Sequence, residues 1–197
     1  TCVDWYSIIL NEEMSRVAVG GLGATLMVHG IGLPPVINFG SDDVKKMVAP
    51  PVLAGTKRIS LAITEPGAGS DVAHLTTTAR LNGDHYVVNG SKTYITGGMN
   101  ANWFTTAVRT GGEGAGGVST LLIPADADSF SRPALDKKQG SWCSYPASLS
   151  FDNVCVPVGH LIVPENKCSS FHMNNFNTDT LTLHAHMQHS ARGRSVD

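Results

Sequence analysis

The stretch Leu61-Ala62-Ile63-Thr64-Glu65-Pro66-Gly67-Ala68-Gly69-Ser70-Asp71 decides how this chain of 197 residues is read. An apolar, strand-like run ends at Thr64 and breaks into a loop with two glycines, a proline, a serine and a carboxylate. A loop of that composition exposes backbone N–H groups and small hydroxyls at the end of a strand, which suits a phosphate or the polar edge of a cofactor. The spacing is G-x-G-S-D rather than G-x-G-x-x-G, so the dinucleotide fingerprint of a doubly wound fold is not met. Taken alone, the stretch is equally compatible with an ordinary surface turn.

Some twenty residues later the chain reads Tyr86-Val-Val-Asn89-Gly90-Ser-Lys92-Thr-Tyr94-Ile95-Thr96-Gly97-Gly98. Asn-Gly between two alternating runs is a strong hairpin signal, and it predicts a turn at Asn89-Gly90. Tyr94 and Thr96 lie two apart and are expected on one face of the second strand. A ring and a hydroxyl on one face can wall and hydrogen-bond a flat heterocycle. Lys92 reads as a solvated hairpin lysine.

Composition sets the wider frame. Apolar residues make up 42% of the chain and charged ones 15%, the profile of a globular protein. Fourteen basic and sixteen acidic residues leave a formal charge of −2, too weak a field to draw in nucleic acid or an anionic membrane. No nucleic-acid partner is expected. Cys2, Cys143, Cys155 and Cys168 have no C-x-x-C spacing and read as reduced thiols of an intracellular protein. No apolar run reads as long enough to span a membrane, and the N-terminus lacks a secretory pattern. Asn89-Gly90-Ser91 fits a glycosylation sequon, for which the plain turn is the better explanation.

Three parts follow along the chain. Trp5, Ile8, Ile9, Val17 and Leu22 give a helical stripe from Cys2 to about Met27, and Pro34-Pro35 is expected to end that unit. Phe39-Gly40-Ser41-Asp42 reads as a C-cap glycine followed by an N-cap, opening a short helix to Val48. From Ile59 to Val163, short alternating runs and turn signals predict an antiparallel β-barrel or sandwich. After Pro164 the pattern turns helical again. The expected fold class is therefore α+β: a helical N-terminal segment (1–57), a central antiparallel β-domain (58–165) and a C-terminal helix (166–197).

Together the two motifs resemble the acyl-CoA dehydrogenase family. Its middle domain carries a T-E-P-x-A-G-S-D loop, then N-G-x-K, then an aromatic-Ile-Thr, and all three occur here in order: Thr64 to Asp71, Asn89 to Lys92 and Tyr94 to Thr96. Trp103-Phe104, Gly117-Val-Ser119, Phe130-Ser131, Lys138-x-Gly140, Phe151-Asp-Asn-Val154 and Val156-Pro157 extend the match. The resemblance implies an FAD-dependent oxidoreductase of fatty-acid β-oxidation that converts an acyl-CoA to the 2-enoyl thioester. A carboxylate takes the α-proton while hydride passes from the β-carbon to the flavin. It also implies an electron-transfer flavoprotein as acceptor, a homo-oligomer, and a bacterial-cytoplasmic or mitochondrial-matrix location. The chain would then be a fragment, lacking most of the family's C-terminal domain.

Residue by residue, the resemblance places Leu61, Ile63, Thr64, Ser70, Tyr94, Ile95 and Thr96 against the flavin, with Tyr94 over the ring and Thr96 near its reactive edge. Ser70, Asn177 and Thr180 are implied on the substrate side. In most members the base is a glutamate on a late helix beyond the present sequence. In isovaleryl-CoA and long-chain members it lies earlier, in an acidic-Arg pair. Asp179 falls at that position, one methylene shorter than glutamate, with Thr180 in place of the arginine. Trp142 stands where arginine is common and Pro146 where threonine is usual. His184, His186 and His189 replace small apolar residues without the carboxylate or cysteine that a zinc site would want, so no metal is expected. The alternative function is a flavin- or CoA-binding scaffold of the same fold that has lost its base.

Overall fold

The computed structural model describes residues 2–15, 21–135 and 138–164. The C-terminal expectations, including Asp179, Asn177, Thr180 and the helix over 166–197, lie outside the described residues.

Helix α1 (Cys2–Ser15) and helix α2 (Leu22–Phe39) take up the first apolar segment. Helix α2 does not stop at Pro34-Pro35: both prolines sit inside it. Each removes an intrahelical donor, and burial of Val28, Leu33, Pro35 and Val36 outweighs that loss. The same correction applies to helix α3 (Asp42–Leu53), which passes Val48 and contains Pro50-Pro51. The junction between them is as expected. The Gly40 N–H bonds the carbonyl of Val36, and Ser41 Oγ accepts from the Val44 N–H, with Asp42 and Asp43 at the positive end of the new helix.

Because α2 is unbroken, its 18 residues, with a mean hydropathy of 1.3, form a helix long and apolar enough to cross a bilayer. In this structure one side of it packs on the sheet. Gly32 meets the backbone of the first strand so closely that an added Cβ would stand 3.2 Å from the Ser60 carbonyl carbon and 3.3 Å from the Ile59 oxygen. Thr105 Oγ1 donates to the Gly32 carbonyl at 2.7 Å, tying helix to sheet across the buried layer.

Among the described residues the sheet has eight strands: β1 (Ile59–Ala62), β2 (Thr78–Asn82), β3 (His85–Ile95), β4 (Trp103–Arg109), β5 (Val118–Pro124), β6 (Phe130–Ser131), β7 (Ala147–Pro157) and β8 (Leu161–Val163). Their order is β6-β7-β3-β2-β4-β5-β8, with β1 paired to β4. The domain is a mixed sheet rather than a purely antiparallel one, since β1 runs parallel to β4 and β2 meets β4 in parallel at Thr78–Arg109. Alternation within a strand carries no information about its neighbour's direction, so pattern alone could not show this. One core lies between helices and sheet, built on Val36, Val48, Ile59, Leu122 and Ile162. A second lies against the sheet's other side, around Phe104, Leu121, Leu149, Phe151 and Val156. Strand β4, buried from Phe104 to Val108, contributes to both.

Asn89-Gly90 is not the hairpin turn. Asn82 pairs with His85, so the tight turn is Gly83-Asp84, with Gly83 in the left-handed region at φ 64°. Asn89-Gly90 lies inside β3, where the register against β7 shifts. Gly90 has φ 142°, and a Cβ there would stand 2.7 Å from Thr77 Cα. Asn89 locks the irregularity by accepting from the Asn153 N–H at 2.8 Å and donating to Asn153 Oδ1 at 3.1 Å. The motif thus makes a bulge.

Gly32→Val should force α2 away from β1 and lower stability by about 1–3 kcal/mol, as overpacking of a tight core does. Urea denaturation followed by circular dichroism measures it. An unchanged midpoint would contradict the close approach.

Candidate functional site

A cavity of about 600 Å³ opens between helix α2, the end of β1 with its following loop, and the end of β3. Leu61, Ile63 and Thr64 line it from β1 onward, Ser70 from the glycine-rich loop, and Tyr94, Ile95 and Thr96 from the end of β3. All seven residues marked in the two sequence motifs therefore border one space. Val28 and Ile31 of α2, with Gly69 and Val72, complete the lining. The helix residues were not singled out, because an apolar stripe marks a buried face without saying what it faces. The volume falls in the range of small-molecule sites, and the lining is mostly apolar with a few hydroxyls, as such sites are built.

Tyr94 and Thr96 reach the cavity by a different route from simple strand alternation. Tyr94 has φ 57°, left-handed for a residue with a bulky side chain, and β3 ends one residue later at Ile95. The tyrosine is 73% exposed and stands at the mouth. Backbone held in that region costs on the order of 1–3 kcal/mol and persists where the surroundings enforce it. They do so here. The Thr93 N–H donates to the Thr64 carbonyl at 2.8 Å, just before Tyr94. Beyond it, Ser60 Oγ donates to the Thr96 carbonyl at 2.9 Å and the Gly97 N–H to the Ser144 carbonyl at 2.8 Å. Among the described residues, the hydroxyls of Thr64, Ser70 and Thr96 make no hydrogen bond, leaving three polar groups on an apolar wall available to a ligand.

Behind this wall lies the largest departure from expectation. Lys92 is not a solvated hairpin lysine: it is fully buried. Its ammonium donates to Glu65 Oε1 and to the Ile63 carbonyl, each at 2.9 Å. Glu65, equally hidden, accepts from the Thr76 N–H and Oγ1 at 2.7 Å and from the Thr77 N–H at 3.0 Å. Every polar atom of the pair faces a partner of opposite character, as burial of charge requires. Burial pushes Lys92 down to about 8 against the opposing pull of Glu65, so the ammonium keeps its proton at neutral pH. For Glu65, burial pushes the carboxyl upward, but the Lys92 charge and the hydrogen bonds from Thr77, Thr76 and Lys92 together outweigh it and hold the group at about 2. Sequence reading missed the pair because nothing local shows that a lysine following Asn-Gly turns inward.

The loop after Ser70 is held from its other end. Arg109 of β4 donates from Nε to the Leu75 carbonyl at 2.9 Å and from Nη2 to the Ala73 carbonyl at 2.6 Å. Its Nη1 reaches the carbonyls of Gly112 and Gly114. Four of the five guanidinium N–H groups thus meet backbone oxygens, and the side chain serves as a brace. His74 and Asp71 form an exposed pair at 2.6 Å, a contact screened by solvent. No group of three or more metal-ligating side chains occurs among the described residues.

Comparison with known proteins bears directly on this arrangement. A family model described as "Acyl-CoA dehydrogenase, middle domain" matches residues 60–154, and one for the N-terminal domain of the same family matches residues 4–56. The chain belongs to the acyl-CoA dehydrogenase family. It is 40% identical over 187 residues to the acyl-CoA dehydrogenase apdG of Emericella nidulans, covering 93% of this chain and 43% of that protein. A crystal structure of a probable acyl-CoA dehydrogenase from Mycobacterium abscessus is 43% identical with a TM-score of 0.87, covering 91% of this chain and 48% of that one. An acyl-CoA dehydrogenase of Bacillus anthracis complexed with FAD is 33% identical with a TM-score of 0.85, covering 93% of this chain and 32% of that one. The chain thus spans less than half the length of each of these three relatives, in the part that contains the cavity.

Two outcomes test the buried pair. Lys92→Met strands the Glu65 carboxylate and should cost about 3–5 kcal/mol, read as a lowered thermal midpoint. In acid, the folded-state value of Glu65 lies below its ordinary 4.5, so its contribution is complete above 4.5 and is lost as pH falls through about 2. The melting temperature should drop across that window. Glu65→Gln should flatten the dependence there, and an equally steep profile in the variant would contradict the assignment.

Proposed function

We propose that the cavity holds the isoalloxazine ring of FAD, and that the protein dehydrogenates an acyl-CoA thioester to the 2-enoyl-CoA. The observation that carries this reading is the meeting of two motifs, separate in sequence, on one cavity whose mouth bears Tyr94 and whose wall bears three unengaged hydroxyls. A flat heterocycle fits such residues: Leu61, Ile63 and Ile95 supply apolar contact, Tyr94 covers a face, and Thr64, Ser70 and Thr96 meet polar edges. Membership of the family, and the FAD held by the Bacillus anthracis relative, support the choice of ligand.

When bound, the flavin would supply the hydride acceptor. The chain's own residues would orient it and exclude water from one side. A hydroxyl of fixed position at Thr96 would favour charge developing on the ring without reorganising during the reaction. Ser70 would also border the thioester, with Asn177 and Thr180 on the substrate side and Asp179 as the in-chain candidate for proton abstraction. An electron-transfer flavoprotein would reoxidise the site, and a further copy of the protein would complete it.

A second reading is a flavin- or CoA-binding scaffold without catalysis. It is favoured by the short side chain of Asp179 and by Thr180 where the family carries arginine. The two are separated by adding an acyl-CoA under anaerobic conditions. Loss of the flavin's visible band identifies a dehydrogenase, and an unchanged band identifies a scaffold.

The purified protein should take up FAD and turn yellow. Tyr94→Ala should weaken FAD binding by up to about tenfold, the scale of one aromatic contact. A protein that stays colourless with excess FAD would refute the proposed site.

A further inference from the structure

We propose that Lys92 and Glu65 are positioning residues for the flavin site: their buried pair clamps the end of β1 to the end of β3 and sets the spacing between the Thr64–Ser70 wall and the Tyr94–Thr96 wall. The inference rests on the flavin reading above.

Neither residue lines the cavity. Each is joined to residues that do. Lys92 precedes Tyr94 by two positions on β3, and its ammonium holds the carbonyl of Ile63, which is itself part of the opposite wall. The ladder does not supply this link: β1 pairs with β4, whereas β3 pairs with β2 and β7. The two walls are therefore joined polar group to polar group by Lys92 to Ile63, Lys92 to Glu65, and Thr93 to Thr64. Glu65 extends the clamp to the returning chain through Thr76 and Thr77, which closes the loop that carries Ser70.

An ion pair is a costly way to join two strands. Packed apolar side chains of similar volume often stabilise a fold as well or better. What they lack is direction. A lysine ammonium with fixed acceptors at 2.9 Å specifies a distance between the strands, which apolar contact does not. A site that must hold a rigid planar ring at one separation needs that specification, since supporting contacts control how well binding groups are placed.

The test uses FAD titration of the apoprotein, read by flavin fluorescence and by the visible circular dichroism of the bound ring. Lys92→Met/Glu65→Gln removes both charges together and so avoids stranding either one. Thr76→Val removes a single part-buried hydrogen bond to Glu65 and keeps both charges of the pair. Ser119→Ala, in a buried position away from the cavity and hydrogen-bonded to Thr110, reports on lost stability alone. The double variant is expected to bind FAD about tenfold more weakly, with an altered dichroic band. Thr76→Val should shift both readings in the same sense by less, and Ser119→Ala should lower the melting temperature while moving neither. Wild-type affinity and dichroism in a folded double variant would overturn the inference and leave the flavin site standing. If the double variant does not fold, Thr76→Val decides, and an unchanged affinity and band overturn the inference. Flavin readings that move equally in Ser119→Ala would reduce the pair to general stability. A wild-type protein that takes up no FAD overturns the flavin reading, and this inference with it.

Discussion

A lysine ammonium taken out of water must find acceptors on every side or lose its proton, and the environment of Lys92 is arranged around that demand. Glu65 supplies the counter-charge and the Ile63 carbonyl a second acceptor. Glu65 in turn has oxygens to satisfy, and the chain returning through Thr76 and Thr77 satisfies them. Each requirement draws in another segment. The end of β1, the glycine-rich loop, the chain entering β2 and the far half of β3 consequently meet at one buried charge pair, which adds to the Thr93–Thr64 and Ser60–Thr96 hydrogen bonds between β1 and β3. The loop itself has few apolar side chains with which to hold its place.

A second constraint acts from the opposite side. Helix α2 lies on β1 with glycine at the point of contact, and the Gly32 carbonyl receives the Thr105 hydroxyl from β4. This brings Val28 and Ile31 to the cavity as its third wall. The continuity of the helix through two prolines follows from the same packing. The lost backbone donors matter less than the apolar surface that an unbroken helix covers. Local rules of helix termination hold when the solvent competes for the freed groups, and they weaken when the alternative is an exposed apolar face.

The backbone at Tyr94 shows what these two constraints achieve together. A left-handed tyrosine at the mouth of a cavity is unfavourable on its own. It is held by hydrogen bonds made by the residues before and after it, to Thr64 and from Ser60. Tyr94 thereby borders the cavity while staying largely exposed, at a point where the regular alternation of β3 ends. The site thus uses the rigidity of the sheet and the clamp beneath it to present a side chain that the strand by itself would have placed elsewhere.

Much of the site was legible from residue order. Seven of the cavity's lining residues, Leu61, Ile63, Thr64, Ser70, Tyr94, Ile95 and Thr96, were named from the sequence through the family resemblance that the two stretches carry. The helix junction at Gly40-Ser41 was legible too, since capping is local chemistry. What proved illegible shares one cause. The parallel pairing of β1 with β4, the bulge at Asn89-Gly90, the unbroken α2 and the inward turn of Lys92 are each decided by a partner distant in sequence. A residue's type states which groups it brings and which conformations it tolerates. Whether those groups meet water, a strand or a counter-charge is settled only when the chain closes on itself, because burial and electrostatic pairing depend on neighbours that sequence order does not place.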